Sequence, residues 1–338
     1  MATIDQAKLA AVAEFLATEQ PVAIHALAVS TIPRHNVTGI GRGPKITGGI
    51  ETSTECLRFY VERKLPKASL SSANMLPTAY QGVPTDVIET GKFLAGAPVA
   101  TMVAPTAVLP GPVQTKLRPT QPGCSVGFQF TGTQAGYVMA GTYGAVVTGG
   151  TDWFILSNNH VLADEHDLPI GSPIFQPGLL DGGNPATDRV ATLAKFIRID
   201  PAAHNLVDCA LAKILDRSQA SPIFLPNVGN LRAAAVVPAA IGMDVEKVGR
   251  TTGFTQGQIF DVNATVKVGY SMGTVIFDDQ VLVRGNAGSF SAAGDSGSLI
   301  VDSATEQGTA LLFAGSATMT IGNKLQNVLS ALGVSLVI

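Results

Sequence analysis

From Gly123 onward the chain is written in short apolar runs, and this pattern restricts its fold more than any other feature. Gly144-Ala145-Val146-Val147, Trp153-Phe154-Ile155-Leu156, Ala210-Leu211-Ala212-Lys213-Ile214, Val281-Leu282-Val283 and Leu311-Leu312-Phe313-Ala314 are separated by glycine, asparagine and proline. Many short strands with turn signals between them make an all-β barrel or sandwich. One late helix is expected, from about Lys324 to Leu332, ending before Gly333.

The preceding residues have another character. Thr3-Ile4-Asp5-Gln6 is a capping box, in which the Thr3 hydroxyl and the Gln6 side chain each satisfy an otherwise unpaired amide. A helix to about Thr18 should follow, with Leu9, Val12, Ala13 and Leu16 along one face and Pro21 as its stop. Ile24 to Ile32 reads as a strand. Val37 to Gly49 reads as a glycine-rich connection between strands and not as a phosphate loop, because no Gly-Lys-Ser/Thr follows and no helix begins at its end. Thr54 to Leu65 alternates Leu57, Phe59 and Val61 with Arg58, Tyr60 and Glu62, the pattern of a half-exposed strand, and Pro84 to Glu89 is another. Residues 1–95 are therefore expected to form a small α+β unit. Pro98, Pro105, Pro110, Pro112, Pro119 and Pro122 mark residues 96–122 as an irregular connection to the β-rich residues 123–338.

Composition excludes several function classes. Hydrophobic residues make up 46% and charged residues 14%, enough for a sizeable core and too apolar for disorder. A net charge of -3 with scattered Lys and Arg offers nothing to a phosphate backbone, so nucleic acid is not an expected partner. Asp5, Lys8, Glu14 and Glu19 interrupt the apolar rhythm that a signal peptide needs, and prolines rule out Gly96 to Val113 as a membrane span. Cys56, Cys124 and Cys209 stand far apart with no metal-ligand spacing. They are expected to be buried, reduced thiols in a cytoplasmic protein that uses no metal or organic cofactor.

Chemistry concentrates at Gly294-Asp295-Ser296-Gly297-Ser298. A serine hydroxyl needs a base to take its proton and donors to receive the oxyanion that it creates. Glycines at 294 and 297 let the backbone turn sharply and aim the N–H groups of Gly294 and Ser296 at one point. Of the five histidines, His160 follows the apolar strand ending at Leu156 through Ser157-Asn158-Asn159, a place where a rigid sheet can hold an imidazole. His25, His35, His166 and His204 read as surface or core histidines. Asp208, in Leu206-Val207-Asp208-Cys209-Ala210-Leu211, opens an apolar strand in which an unpaired charge would be costly, so it is the acid expected to orient His160. Asp164 and Asp167 are too near His160 in sequence, while Asp181, Asp188 and Asp200 lie in loops and read as solvated.

Trp153 to Ala163, Val207 to Leu211 and Gly294 to Gly297 resemble the three signatures of chymotrypsin-like serine proteases, in the order His, Asp, Ser. Val248 to Ile259 resembles a second-barrel strand of bacterial members. The resemblance is closer to an intracellular branch that includes the plant Narrow Leaf protein and bacterial trypsin-like peptidases, through Val37 to Gly49, Arg58 to Leu65 and Gly82 to Ile88. It implies a double β-barrel with the site between the barrels and a serine endopeptidase acting on protein or peptide substrates. It also implies a primary pocket lined by Ser289, Phe290 and the residues that follow to Ala292, and by Phe313, Ala314, Gly315 and Ser316. That lining contains no acid, so a small or apolar residue is expected before the cleaved bond. Ser298 stands where digestive relatives have glycine, and the disulfide bracketing the histidine is missing. Lys45-Ile46-Thr47-Gly48-Gly49 looks like a trypsin activation site, but Ile46 lies well before the proline connection, so Asp295 is expected to bond to local backbone. A gated or silent barrel acting in binding or assembly, an acyl esterase and a homo-oligomer remain open readings.

Overall fold

The computed structural model describes residues 2–16, 36–72, 75–96, 99–100, 112–223 and 236–337. The expected strand Ile24–Ile32 lies outside them. Helix α1 (Ile4–Phe15) begins at the capping box, with Gln6 N donating to Thr3 Oγ1 at 3.2 Å and Thr3 N donating to Gln6 Oε1 at 2.9 Å. Its buried stripe is Ala7, Ala11, Val12 and Leu16, packed on Ile40, Leu57 and Phe59. Leu9 and Ala13, expected on that stripe, face solvent. The alanines present the smaller surface and bring the helix axis close to the sheet.

Strands β1 (Val37–Thr47) and β2 (Ile50–Val61) form a hairpin, and β3 (Val83–Glu89) pairs parallel to β2. Val37 to Gly49 is thus mostly strand, which corrects the expected connection. The reason is close packing, since a Cβ on Gly41 would stand 1.8 Å from Asp261 Oδ2 and one on Gly43 2.6 Å from Arg58 Cζ. A short strand, β4 (Phe93–Ala95), follows.

The first barrel comprises β5 (Ala145–Gly149), β6 (Asp152–Ser157), the one-turn helix α2 (Asn159–Leu162), β7 (Pro173–Phe175), β8 (Arg189–Phe196) and β9 (Ala210–Ile214). The second comprises β10 (Asp244–Gly249), β11 (Gly253–Tyr270), β12 (Gly273–Gly285), β13 (Leu299–Asp302), β14 (Gly308–Gly315) and β15 (Thr320–Lys324), followed by α3 (Leu325–Leu332) and β16 (Ser335–Leu336). In the first barrel the strand order is β7-β8-β9-β6-β5-β16, so the last strand of the chain returns from the second barrel to the first, with Leu336 opposite Val147. In the second the order is β12-β15-β14-β13-β10-β11, and pairing of β11 with β12 closes the ring. The molecule is mainly β, built on two barrels.

β11 and β12 run well past the ring as a long hairpin. Thr265 and Val266 of β11 pair with β1, so the sheet of the second barrel continues into the N-terminal strands. At that junction Asp261 is fully buried, accepting from Tyr60 Oη at 2.5 Å and from Arg42 N at 2.9 Å, while buried Arg58 donates to Phe260 O at 2.7 Å. Cys56, Cys124 and Cys209 are buried and unpaired, and no helix among the described residues is long and apolar enough to cross a membrane.

Candidate active site

The imidazole is held where strand gives way to helix. After Ser157 ends β6, the side chain of Asn158 donates to Asp208 O at 2.8 Å and that of Asn159 donates to Ile197 O at 2.7 Å. These two bonds fasten α2 across the sheet, and α2 carries His160. Asp208 precedes β9 with its carboxylate turned to the same point. It accepts from Asn159 N at 2.7 Å, lies 2.5 Å from His160 Nδ1, and accepts from Tyr270 Oη at 2.7 Å. Its own N–H donates to Asn323 Oδ1 at 2.9 Å. The oxygens of this fully buried carboxyl group all find hydrogen-bond partners, as burial requires. Burial and the Asp208 charge raise the Tyr270 phenol well above its ordinary range, so it stays a donor.

His160 Nδ1 is committed to Asp208, and Nε2 has no hydrogen-bond partner among the described residues. Nε2 and Ser296 Oγ both face Gly96. A Cβ on that glycine would stand 3.7 Å from the nitrogen and 3.8 Å from the oxygen. Ser296 Oγ donates to Phe313 O at 3.3 Å. Histidine, aspartate and serine from three separate stretches thus meet at one cleft, with 3%, 0% and 6% of their surfaces exposed. Such an arrangement can move a proton from the serine to the imidazole and hold the resulting charge against the carboxylate.

The serine loop is fixed by internal packing more than by substrate access. Gly294 and Gly297 have φ of 95° and 96°, and a Cβ on Gly297 would stand 2.1 Å from Ser157 Oγ. Ala293 O accepts from Thr251 Oγ1 at 2.7 Å, so across the trans peptide the Gly294 N–H points the opposite way. Asp295 is fully buried and accepts from Thr251 N, Thr252 N, Thr252 Oγ1 and Ala292 N. The buried ammonium of Lys247 lies 3.6 Å from it. The expected local backbone supplies one of these bonds, from Ala292 N, while Thr251 and Thr252 supply the rest from a distant stretch, and Lys247 is a further partner that the sequence reading missed. Ile46 of the activation-like stretch pairs with Glu51 inside the β1–β2 hairpin.

Further supports come from residues with no motif. Asp164, Glu165 and His166, just after α2, have φ of 50°, 54° and 73°, a strained turn of a kind found near functional sites. Glu165 accepts from Ser271 N at 3.0 Å and Ser271 Oγ at 2.6 Å, tying the His160 element to the tip of the β11–β12 hairpin. Asp181 and Asp188, expected in solvent, are instead largely buried partners of Arg250 and Lys116. His204 pairs with Asp278, His166 stacks on Phe196, and His25 and His35 lie outside the described residues.

The expected pocket residues divide. Phe313 gives its carbonyl to Ser296, and Ala314 and Gly315 pair with β4. Ser289 lies on the surface and donates to Ala317 O, while Phe290 is buried in the second-barrel core with Lys247 over its ring. The open part of the cleft, a cavity of about 100 Å³, is lined instead by Met139, Ala140, Val161, Leu180 and Arg250 around His160 and Ser296.

Residues 194–328 match the Nal1 C-terminal domain family. Protein NARROW LEAF 1 of Oryza sativa subsp. japonica is 27% identical over 303 residues, covering 80% of this chain and 49% of the rice protein. The chain thus spans about half the length of that relative. Among solved structures, a glutamic-acid-specific serine protease is 18% identical, with TM-score 0.46, covering 64% of this chain and 100% of that one. Thermobifida fusca Protease A is 19% identical, with TM-score 0.46, covering 64% and 99%. The chain is thus similar in sequence to Narrow Leaf 1 and, over part of its length, in fold to these serine proteases.

Proposed function

We propose that the chain is a serine endopeptidase. Ser296 attacks the carbonyl of a peptide bond, His160 takes its proton and returns it to the leaving amine, and Asp208 holds the imidazole and stabilises its charged form. The Gly294 and Ser296 N–H groups receive the oxyanion, and water then releases the acyl group from Ser296. One observation carries this reading: a buried His160 bound through Nδ1 to Asp208, with Nε2 unpartnered and facing Gly96 beside Ser296. In this reading residues 1–95 form an α+β unit, residues 96–122 a connection and residues 123–338 the protease domain. The setting is cytoplasmic and the substrate is protein or peptide.

The test treats the purified chain and its Ser296→Ala variant with a fluorophosphonate and with a mixed peptide library. Labelling at Ser296, together with peptide cleavage that the variant lacks, is the expected outcome; a chain that cleaves equally well without Ser296 sinks the assignment. A silent or gated barrel is the second reading. It is favoured by the Ser296 hydroxyl, which bonds to Phe313 O, and by the pairing of Ala314 and Gly315 with β4.

A further inference from the structure

The cleft beside Ser296 already contains an extended peptide, and it belongs to the chain itself. β4 runs parallel to β11, with Phe93 opposite Val268 and Leu94 opposite Gly269. On its other side it runs antiparallel to β14, with Leu94 opposite Gly315 and Ala95 opposite Ala314. It therefore bridges two strands that are not neighbours in the closed ring. Phe93 anchors it, 2% exposed among Tyr60, Phe313, Val268 and Met319, while Leu94 points outward and is 59% exposed.

The direction of this strand matters as much as its place. Running from Phe93 toward Gly96, it arrives at the chemistry with its C-terminal end, and Gly96 faces His160 Nε2 and Ser296 Oγ. An extended peptide that adds to a sheet through its backbone and reaches the serine with its C-terminal end lies where the acyl half of a peptide substrate must lie. The open cavity lies beyond Gly96, toward Met139, Leu180 and Arg250, on the side left for the departing half. At Gly96 a Cβ would meet only ordinary van der Waals contacts, so the end position admits alanine as well as glycine.

We propose that Phe93-Leu94-Ala95-Gly96 is a built-in occupant of the acyl-side substrate groove, so that external peptides of the pattern aromatic-any-small-small bind only when this strand is displaced. The proposal rests on the reading of Ser296 as nucleophile for its meaning and on the strand pairing for its geometry.

The experiment follows binding of a fluorescent Phe-Leu-Ala-Gly peptide to the full chain carrying Ser296→Ala, by anisotropy, with and without Leu94→Pro. Proline removes an N–H and is excluded from a paired central strand, while the Leu94 side chain it replaces sits in solvent. The expected result is at least tenfold tighter binding by the proline variant, and no change with Leu94→Ala. A folded proline variant that binds no better than its parent overturns the proposal, as does a parent that binds as tightly as the variant. Should Leu94→Pro fail to fold, hydrogen exchange on the parent chain decides. Saturating peptide must raise exchange at residues 93–96, and unchanged exchange there overturns the proposal. Fluorophosphonate labelling of the same chains with Ser296 restored separates the two readings. Peptide binding on opening without labelling keeps the occupant and removes the nucleophile, while labelling and cleavage with no gain on opening do the reverse.

Discussion

Tyr270 donates to the same Asp208 oxygen that faces His160, so its hydroxyl draws on the charge available to the imidazole. Tyr270→Phe should leave the carboxylate less neutralised, move the apparent pKa of the base upward in the pH–rate profile, and lower kcat/KM by about tenfold, the scale of one hydrogen bond to a charged group. A profile that does not move assigns the tyrosine to packing alone. Asp164, on the strained turn after the His160 helix, has its carboxyl pushed up to about 6, first by burial and then by Asp167 and Glu165. Between 3.8 and about 6 the folded chain holds a proton that the unfolded chain releases, so this residue's contribution to stability falls as pH rises through that window. Urea midpoints for the wild type and Asp164→Asn, compared at pH values across the window, should therefore diverge as pH rises. His160, Asp208 and Ser296, which meet at one cleft, could be singled out because each stood in an unusual setting, such as a histidine at a strand end or an acid opening an apolar strand. Tyr270, Glu165 and Gly96 carried no such signal, because their roles come from elements distant in sequence. Lys247 left a faint one, a lysine between apolar Val245 and Val248 that needs an acid to lie beside it.

At the level of elements, glycine misled the reading of Val37 to Gly49. Gly39, Gly41 and Gly43 recur at every second residue, so they share one face of β1, and that face lies against Asp261, Arg58 and Thr265. Period-two glycine is a mark of close sheet packing that a turn-based reading passes over. Gly41→Ala puts a methyl where Asp261 Oδ2 stands and should destabilise the fold by about 1–3 kcal/mol, the usual range for overpacking. A shift in the urea midpoint without a change in slope is the expected sign, and an unshifted midpoint removes the argument. α1 was placed correctly from its cap, and Val12 and Leu16 of its expected stripe are buried, but Ala7 and Ala11 complete that face in place of Leu9 and Ala13. A cap is a local matter, whereas the choice of face belongs to the sheet that receives the helix.

Across the whole molecule, the sheet runs from the second barrel through β11 into β1, β2 and β3 without a break. Heat should therefore unfold residues 36–95 and the second barrel together, and calorimetry that resolves a separate early transition for the N-terminal strands would falsify that coupling. Deleting residues 1–95 should leave the β11–β12 hairpin with an unpaired edge and give aggregated protein in place of a soluble barrel. The barrels were visible in short apolar runs. Their continuation into the N-terminal strands was not, because sheet neighbours far apart in sequence leave no local trace. The lysine beside Asp295 carries a consequence for timing. A serine loop whose acid is neutralised from within the same barrel is assembled as soon as the chain folds, with no fresh amino terminus to be made by cutting. Under the proposed function the serine loop is therefore complete on folding, and restraint falls to the strand at the entrance to its cleft.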